Sequence, residues 1–153
     1  MRVRTMPIAL AMLVAVAVPA AGLASAPTLS TSRVVTAELK RQLGNPPTSP
    51  TARALMNRIV AKTRARVAGQ GDGGSSPTVR WKLAIRSSGG VTRASGSVTV
   101  RGLADDSRIG WTTSVTLQRL PAGTYDPVRW RLLRAERREI CARGVTQNRR
   151  LCI

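Results

Sequence analysis

The hydrophobic pattern of this chain changes period once, and that change limits the folds open to it. Between residues 52 and 67, Ala52, Leu55, Met56, Ile59, Val60, Thr63 and Val67 recur every three or four positions. That is the spacing of one helix face. Past GQGDGGSSP, residues 69 to 77, the spacing becomes two. Val79, Trp81, Leu83 and Ile85 alternate with Arg80, Lys82, Ala84 and Arg86, as in a strand buried on one side. Ala94, Gly96, Val98 and Val100 then alternate with Arg93, Ser95, Ser97, Thr99 and Arg101. In the next segment, 108 to 120, Ile109, Trp111, Thr113, Val115 and Leu117 form the inner set. SSGG, GLADDS and PAGTYDP supply the turns between these runs.

The last segment reads two ways. Val128, Trp130 and Leu132 alternate with Arg129 and Arg131, yet LLRAERRE has strong helix propensity, and Asp126-Pro127 and Gly144 can frame a helix. A strand is the better reading, because three preceding strands need a partner and an open edge is costly. It then requires a bulge at Leu132-Leu133, where the alternation breaks.

Upstream, Val35, Leu39 and Leu43 share a face in a short helix over 34–43, with Ser32 to cap it and Gly44 to stop it. Ser49-Pro50 is a good start for the longer helix. The expected fold is α+β, with one or two N-terminal helices packed on a four-stranded antiparallel meander. Residues 50–153 form its single domain, and 27–49 form a flexible lead with a short helix.

A helix followed by a curved antiparallel sheet resembles, over residues 50 to 140, the cystatin-like and nuclear-transport-factor-2-like group of folds. That group holds enzymes, small-ligand binders and assembly modules, so the resemblance implies an architecture and no single activity. The closing pattern, an Arg-rich strand, then CARG and a second Cys near the end, also resembles small exported proteins of high-GC Gram-positive bacteria. That likeness implies export.

The first 26 residues point the same way. MRVRTM is basic, Ile8 to Val18 is apolar, and Pro19 and AAGLASA follow. A positive start, an apolar run and small residues before a cut describe a secretory signal peptide. The apolar run is about half of the roughly 20 residues that cross a bilayer as a helix. Cleavage after Ala26 satisfies the small-residue motif but leaves Pro27 beyond the cut; cleavage after Ala24 avoids it. The expected location is therefore secreted or bound to the cell envelope. In that oxidising setting, Cys141 and Cys152, the chain's two cysteines, are expected to form one disulfide.

Charge and chemistry narrow the function. The chain has 25 basic and 7 acidic residues, a formal +18, and the leader removes only Arg2 and Arg4. It contains no histidine. That removes the commonest general base, the Ser-His-Asp and Cys-His arrangements and most transition-metal sites. No glycine-rich phosphate loop or cofactor motif is present. Asp105 and Asp106 fall in a turn, where Asp bonds the backbone, and Glu136 and Glu139 sit among Arg134, Arg137, Arg138 and Arg143 as local ion pairs. Tyr125, in the turn before Asp126-Pro127, reads as a packing residue. The expectation is a non-enzymatic protein that needs neither metal nor cofactor.

The arginines are the positive signal. If the strands align, Arg80, Lys82, Arg86, Arg93, Arg101, Arg129 and Arg131 share the outer sheet face, with Ser and Thr between them. Fork-shaped cations beside neutral donors suit phosphate and carboxylate polymers. The candidate partners are an anionic envelope polymer, lipid head groups or, less well matched, nucleic acid, since no aromatic residue falls on that face to stack on bases. The same face can also be a solvated surface with no ligand. The alternative function is a small-molecule or protein-partner module that uses the inner face around Trp81, Trp111 and Trp130, with no special role for the charge.

Overall fold

The computed structural model describes residues 27–44, 48–71, 76–105, 107–123, 128–143 and 152. Residues 1–26 with the expected cut sites, Asp106, and Tyr125 with Asp126-Pro127 lie outside the described residues. The elements in chain order are β1 (Thr28–Leu29), β2 (Arg33–Val34), α1 (Thr36–Leu43), β3 (Thr48–Ser49), α2 (Ala52–Val67), β4 (Thr78–Ser88), β5 (Val91–Arg101), β6 (Arg108–Leu120) and β7 (Arg129–Cys141). No helix among the described residues is long and apolar enough to cross a membrane.

The fold is α+β, and β4 to β7 form the expected antiparallel meander. The last segment is a strand throughout, so its neighbours override the helix propensity of LLRAERRE. The four-stranded expectation needs correction, because the sheet has seven strands. The three added ones are two residues each, drawn from 28–49, and all pair with the far edge of β7. They carry no alternating pattern because none is long enough to have one. Hydroxyls fill the gaps between them. Glu139 N donates to Ser30 Oγ at 2.8 Å, and Ala135 N donates to Thr36 Oγ1 at 2.8 Å. Val35 N and Ser30 N bond the carbonyls of the same two residues. An edge that would otherwise expose a row of donors and acceptors is thereby covered.

Both helix starts differ from the sequence reading. α1 begins after Val35 with no side-chain cap, and Ser32 instead donates to Glu136. α2 begins two residues later than Ser49-Pro50 implies, because Thr51 accepts from Ala54 N and Ser49 is used in β3. A guanidinium ties these pieces together. Arg58 donates to the carbonyls of Leu43 and Thr48, closing α1 and β3 onto α2.

The helices pack on the inner sheet face. Leu55, Met56, Ile59 and Val60 of α2 meet Ala94, Val98, Val115, Leu117 and Leu132, all buried, while Val35, Leu39 and Leu43 close one side. Trp130 lies inside this core and Trp81 packs against it. Trp111 belongs to a second cluster with Val67, Val100 and Leu103. Ile85 departs from its expected inner role: it is 56% exposed, near the end of β4. Gly110 is required by close approach, since a Cβ there would lie 2.1 Å from the Val100 carbonyl oxygen.

The expected bulge is present. Leu117 pairs with Leu132 and Thr116 with Arg134, so Leu133 is the extra residue. A second irregularity, at Ile109, lets Arg108 pair with Cys141. Cys141 is bonded to Cys152 across a separation of 11 residues. Closing a loop of that length contributes about 2–3 kcal/mol in the chain-entropy model. Reduction is expected to lower the unfolding free energy by about that amount, read as a shifted urea midpoint with an intact native spectrum. Leu117→Ala, at a fully buried position, should cost about 2–5 kcal/mol in the same assay.

Candidate functional site

In a pleated sheet every second residue faces the same way, so strand register decides which cations meet. Arg80 pairs with Thr99, Lys82 with Ser97 and Arg86 with Arg93. Thr99 continues to Thr112, Ser97 to Ser114, Ser95 to Thr116 and Arg93 to Gln118. Beyond these come Arg138, Glu136, Arg134 and Arg131, and Arg129 lies opposite Leu120. Arg101 faces the same side, next to Gly110. All seven basic residues named from the sequence therefore share the outer face, and all are exposed.

Their layout is ordered. β5 and β6 carry a central belt of Ser95, Ser97, Thr99, Thr112, Ser114 and Thr116. Arg80, Lys82 and Arg86 border it on β4 and Arg129 and Arg131 on β7, three strand spacings or about 14 Å away, while Arg93 and Arg101 stand at the two ends of β5. Along one strand, successive outward positions lie about 6.6 Å apart. Thr99 Oγ1 and Thr112 Oγ1 are 3.1 Å apart, and Arg131 donates to Gln118 at 3.0 Å. A shallow depression of about 330 Å³, lined by Ser114, Thr116, Arg134 and Glu136, interrupts the belt.

The bulge adds two cations that the sequence reading assigned to local ion pairs. One extra residue at Leu133 reverses the alternation beyond it. Arg134 and Arg138 turn outward, while Ala135 and Arg137 turn inward, where Ala135 is fully buried. The expected pairing survives in part. Arg134 pairs with Glu136, but Arg137 approaches Glu38 at 3.8 Å and Glu139 approaches Arg108 at 3.7 Å. The signal was available: once the bulge is placed at Leu132-Leu133, every later residue changes face.

Three of the acids, Glu38, Asp105 and Glu136, are held ionised. Hydrogen bonds from the Ser32 hydroxyl and from Arg134 keep Glu136 below the usual glutamate range. A hydrogen bond from Arg66 does the same for Glu38. Backbone N–H groups of Arg108 and Ser107 hold Asp105 down, in the turn role its position implies. In the other direction, burial lowers the pKa of Arg137.

Comparison with family models, curated proteins and solved structures returns no match.

The lowered carboxylate values have a definite sign. A carboxyl whose native pKa lies below its unfolded value stabilises the fold above the unfolded pKa, and loses that contribution as pH falls through the native one. Stability should thus decline below about pH 4, the ordinary carboxylate range. Urea midpoints measured from neutral to acid pH check this. Glu136→Gln together with Asp105→Asn should flatten the decline.

Proposed function

We propose that this chain is a non-enzymatic, exported basic protein that binds an anionic polymer or surface of the cell envelope through the outer face of its sheet. The observation that carries this reading is the strand register, which gathers Arg80, Lys82, Arg86, Arg93, Arg101, Arg129 and Arg131, with Arg134 and Arg138, around a belt of hydroxyls. Like charges on neighbouring strands repel, as Arg86 and Arg93 do across one pair, so an anion on the face relieves a cost the free protein carries. Guanidinium groups give planar, two-pronged donors to phosphate or carboxylate, and the Ser and Thr hydroxyls add neutral donors between them.

The spacing favours a linear ligand. Cations spread over β4, β5 and β7, with Arg80 and Lys82 or Arg129 and Arg131 about 6.6 Å apart along a strand, suit a chain of repeating anions better than one compact group. Nucleic acid is a poorer fit, because no aromatic residue stands among the described outer-face residues to stack on a base. The disulfide is compatible with an exported protein, as is the basic, apolar, small-residue order of the first 26 residues. A likeness to the cystatin-like and nuclear-transport-factor-2-like group remains part of this reading at the level of helix-then-sheet order.

No specific observation favours the inner-face alternative. Trp111 and Trp130 are buried in apolar clusters, and neither described pocket is lined by a tryptophan.

Retention on a phosphate-bearing polymer matrix, eluted over a salt gradient, tests the proposal. Binding should weaken linearly on a log–log salt plot. Arg131→Gln and Arg134→Gln should each reduce the slope by about 1. Lys62→Gln, at an exposed position on the helix side of the sheet, should leave it unchanged. An equal effect from Lys62→Gln would reduce the interaction to general charge and sink the proposal.

A further inference from the structure

The sheet has one edge covered and one open. Three short strands cover β7, whereas β4, at the other end of the strand order, pairs with β5 alone among the described residues. Its 11 residues, Thr78–Ser88, leave a free edge longer than most strands. A polar cavity of about 770 Å³ between the start of β6 and the end of β7, lined by Arg33, Arg108, Arg137, Asp105 and Glu139, makes no comparable demand. Its Arg108 and Arg137 already approach Glu139 and Glu38 at 3.7 Å and 3.8 Å.

The hairpin turn decides which backbone groups face the open edge. Gly89 and Gly90, at φ of 55° and 75°, form a two-residue turn between the paired Ser88 and Val91. Such a turn closes with the N–H of its fourth residue donating to the carbonyl of its first, so Ser88 and Val91 are a hydrogen-bonded pair. Bonded and non-bonded pairs alternate along an antiparallel ladder, and the register runs from Ser88 to Thr78 without a shift. Arg86, Ala84, Lys82 and Arg80 therefore spend their backbone groups on β5. Ile85, Leu83, Trp81 and Val79 turn theirs to the open side.

Side chains add a second selection. On the inner side of this edge Ile85 is 56% exposed and Leu83 and Trp81 are half-buried, so an added strand covers apolar surface there. On the outer side stand Arg80, Lys82 and Arg86, all exposed. A second copy of this chain is a poor occupant. Antiparallel pairing of two β4 strands about Lys82, Leu83 or Ala84 sets Lys82 against Lys82, Arg80 against Arg86, or Lys82 against Arg86. Opposite charges across a pair stabilise it, so the same cations favour an acidic strand. We propose that β4 takes an added strand from a protein or peptide partner, an extended segment in which acidic and apolar residues alternate. Its apolar residues lie beside Trp81, Leu83 and Ile85 and bond their backbones, while its acids lie opposite Arg80, Lys82 and Arg86. In this mode main-chain bonds supply affinity and the alternate side chains choose the partner. The site goes beyond polymer binding and stands without it, because it needs the strand's backbone and not its charge alone.

A peptide of about nine residues, alternating glutamate and valine with blocked ends, is the probe for fluorescence anisotropy with the full, oxidised protein. It should bind at about 0.1 mM or tighter. The same peptide N-methylated at its valines keeps its charge but cannot donate to the edge, and should bind roughly tenfold more weakly. A version with lysine for glutamate should not bind. Hydrogen exchange at the amides of Trp81, Leu83 and Ile85 should slow roughly tenfold at saturating peptide. Ile85→Pro removes one outward N–H without touching a charge, and should weaken the peptide roughly tenfold while polymer retention stays as in the parent. Should that variant fail to fold, the methylated peptide and the exchange measurement decide the matter on the parent protein. The proposal is overturned by no binding, by equal binding of the methylated or lysine peptide, by unchanged exchange at those amides, or by a dimer of the parent that Ile85→Pro abolishes. Peptide binding without polymer retention upholds it and sinks only the outer-face reading.

Discussion

The fold depends on β7 being hydrogen-bonded along both edges. On one side it pairs with β6 over almost its full length, and on the other with three fragments drawn from residues 28–49. A row of unpaired backbone groups on so long a strand would be both unstable and adhesive. The covering is assembled from short strands and from hydroxyls that stand in for a strand, as Thr36 does at Ala135 and Ser30 at Glu139. Because α1 is inserted between β2 and β3, the same segment that covers the edge also delivers Leu39 and Leu43 to the core. Edge protection and core completion are therefore one event.

The bulge at Leu133 then sorts charge between the two faces. Without it, Arg134, Glu136 and Arg138 would point into the apolar layer under the helices, where unpaired charge is very costly. With it, Ala135 fills that layer and the charges join the outer face. The reversal also sends Arg137 and Glu139 inward, but only at the end of the sheet, beside Trp111 and Arg108. One inserted residue thus enlarges the outer cationic face and creates the polar cavity on the other side.

Much of this was legible in the sequence. The helical stripe from Ala52 to Val67 is buried as its spacing implies, save for the half-buried Thr63. Residues 108–120 form the strand their alternation describes. The expected bond between Cys141 and Cys152 is present. What escaped notice has a common cause. Strands of two residues have no period, so 28–29, 33–34 and 48–49 look like loop, and Ser30 and Thr36 resemble ordinary linker residues. The cavity was equally hidden, because Arg33, Arg108 and Arg137 are brought together by pairings that span most of the chain. No spacing rule reaches that far.

Those long pairings set an order on folding. Ser30 and Thr36 meet Glu139 and Ala135 across separations of 109 and 99 residues. Residues 28–36 thus have no backbone partner until β7 has been made. Contacts of such separation are slow to form, and they cannot form on a partial chain. α2 and the β4–β5 hairpin can assemble early, but the sheet stays open at β6 until its successor arrives. Until β7 is made, residues 28–36 and the far edge of β6 therefore stand without their backbone partners.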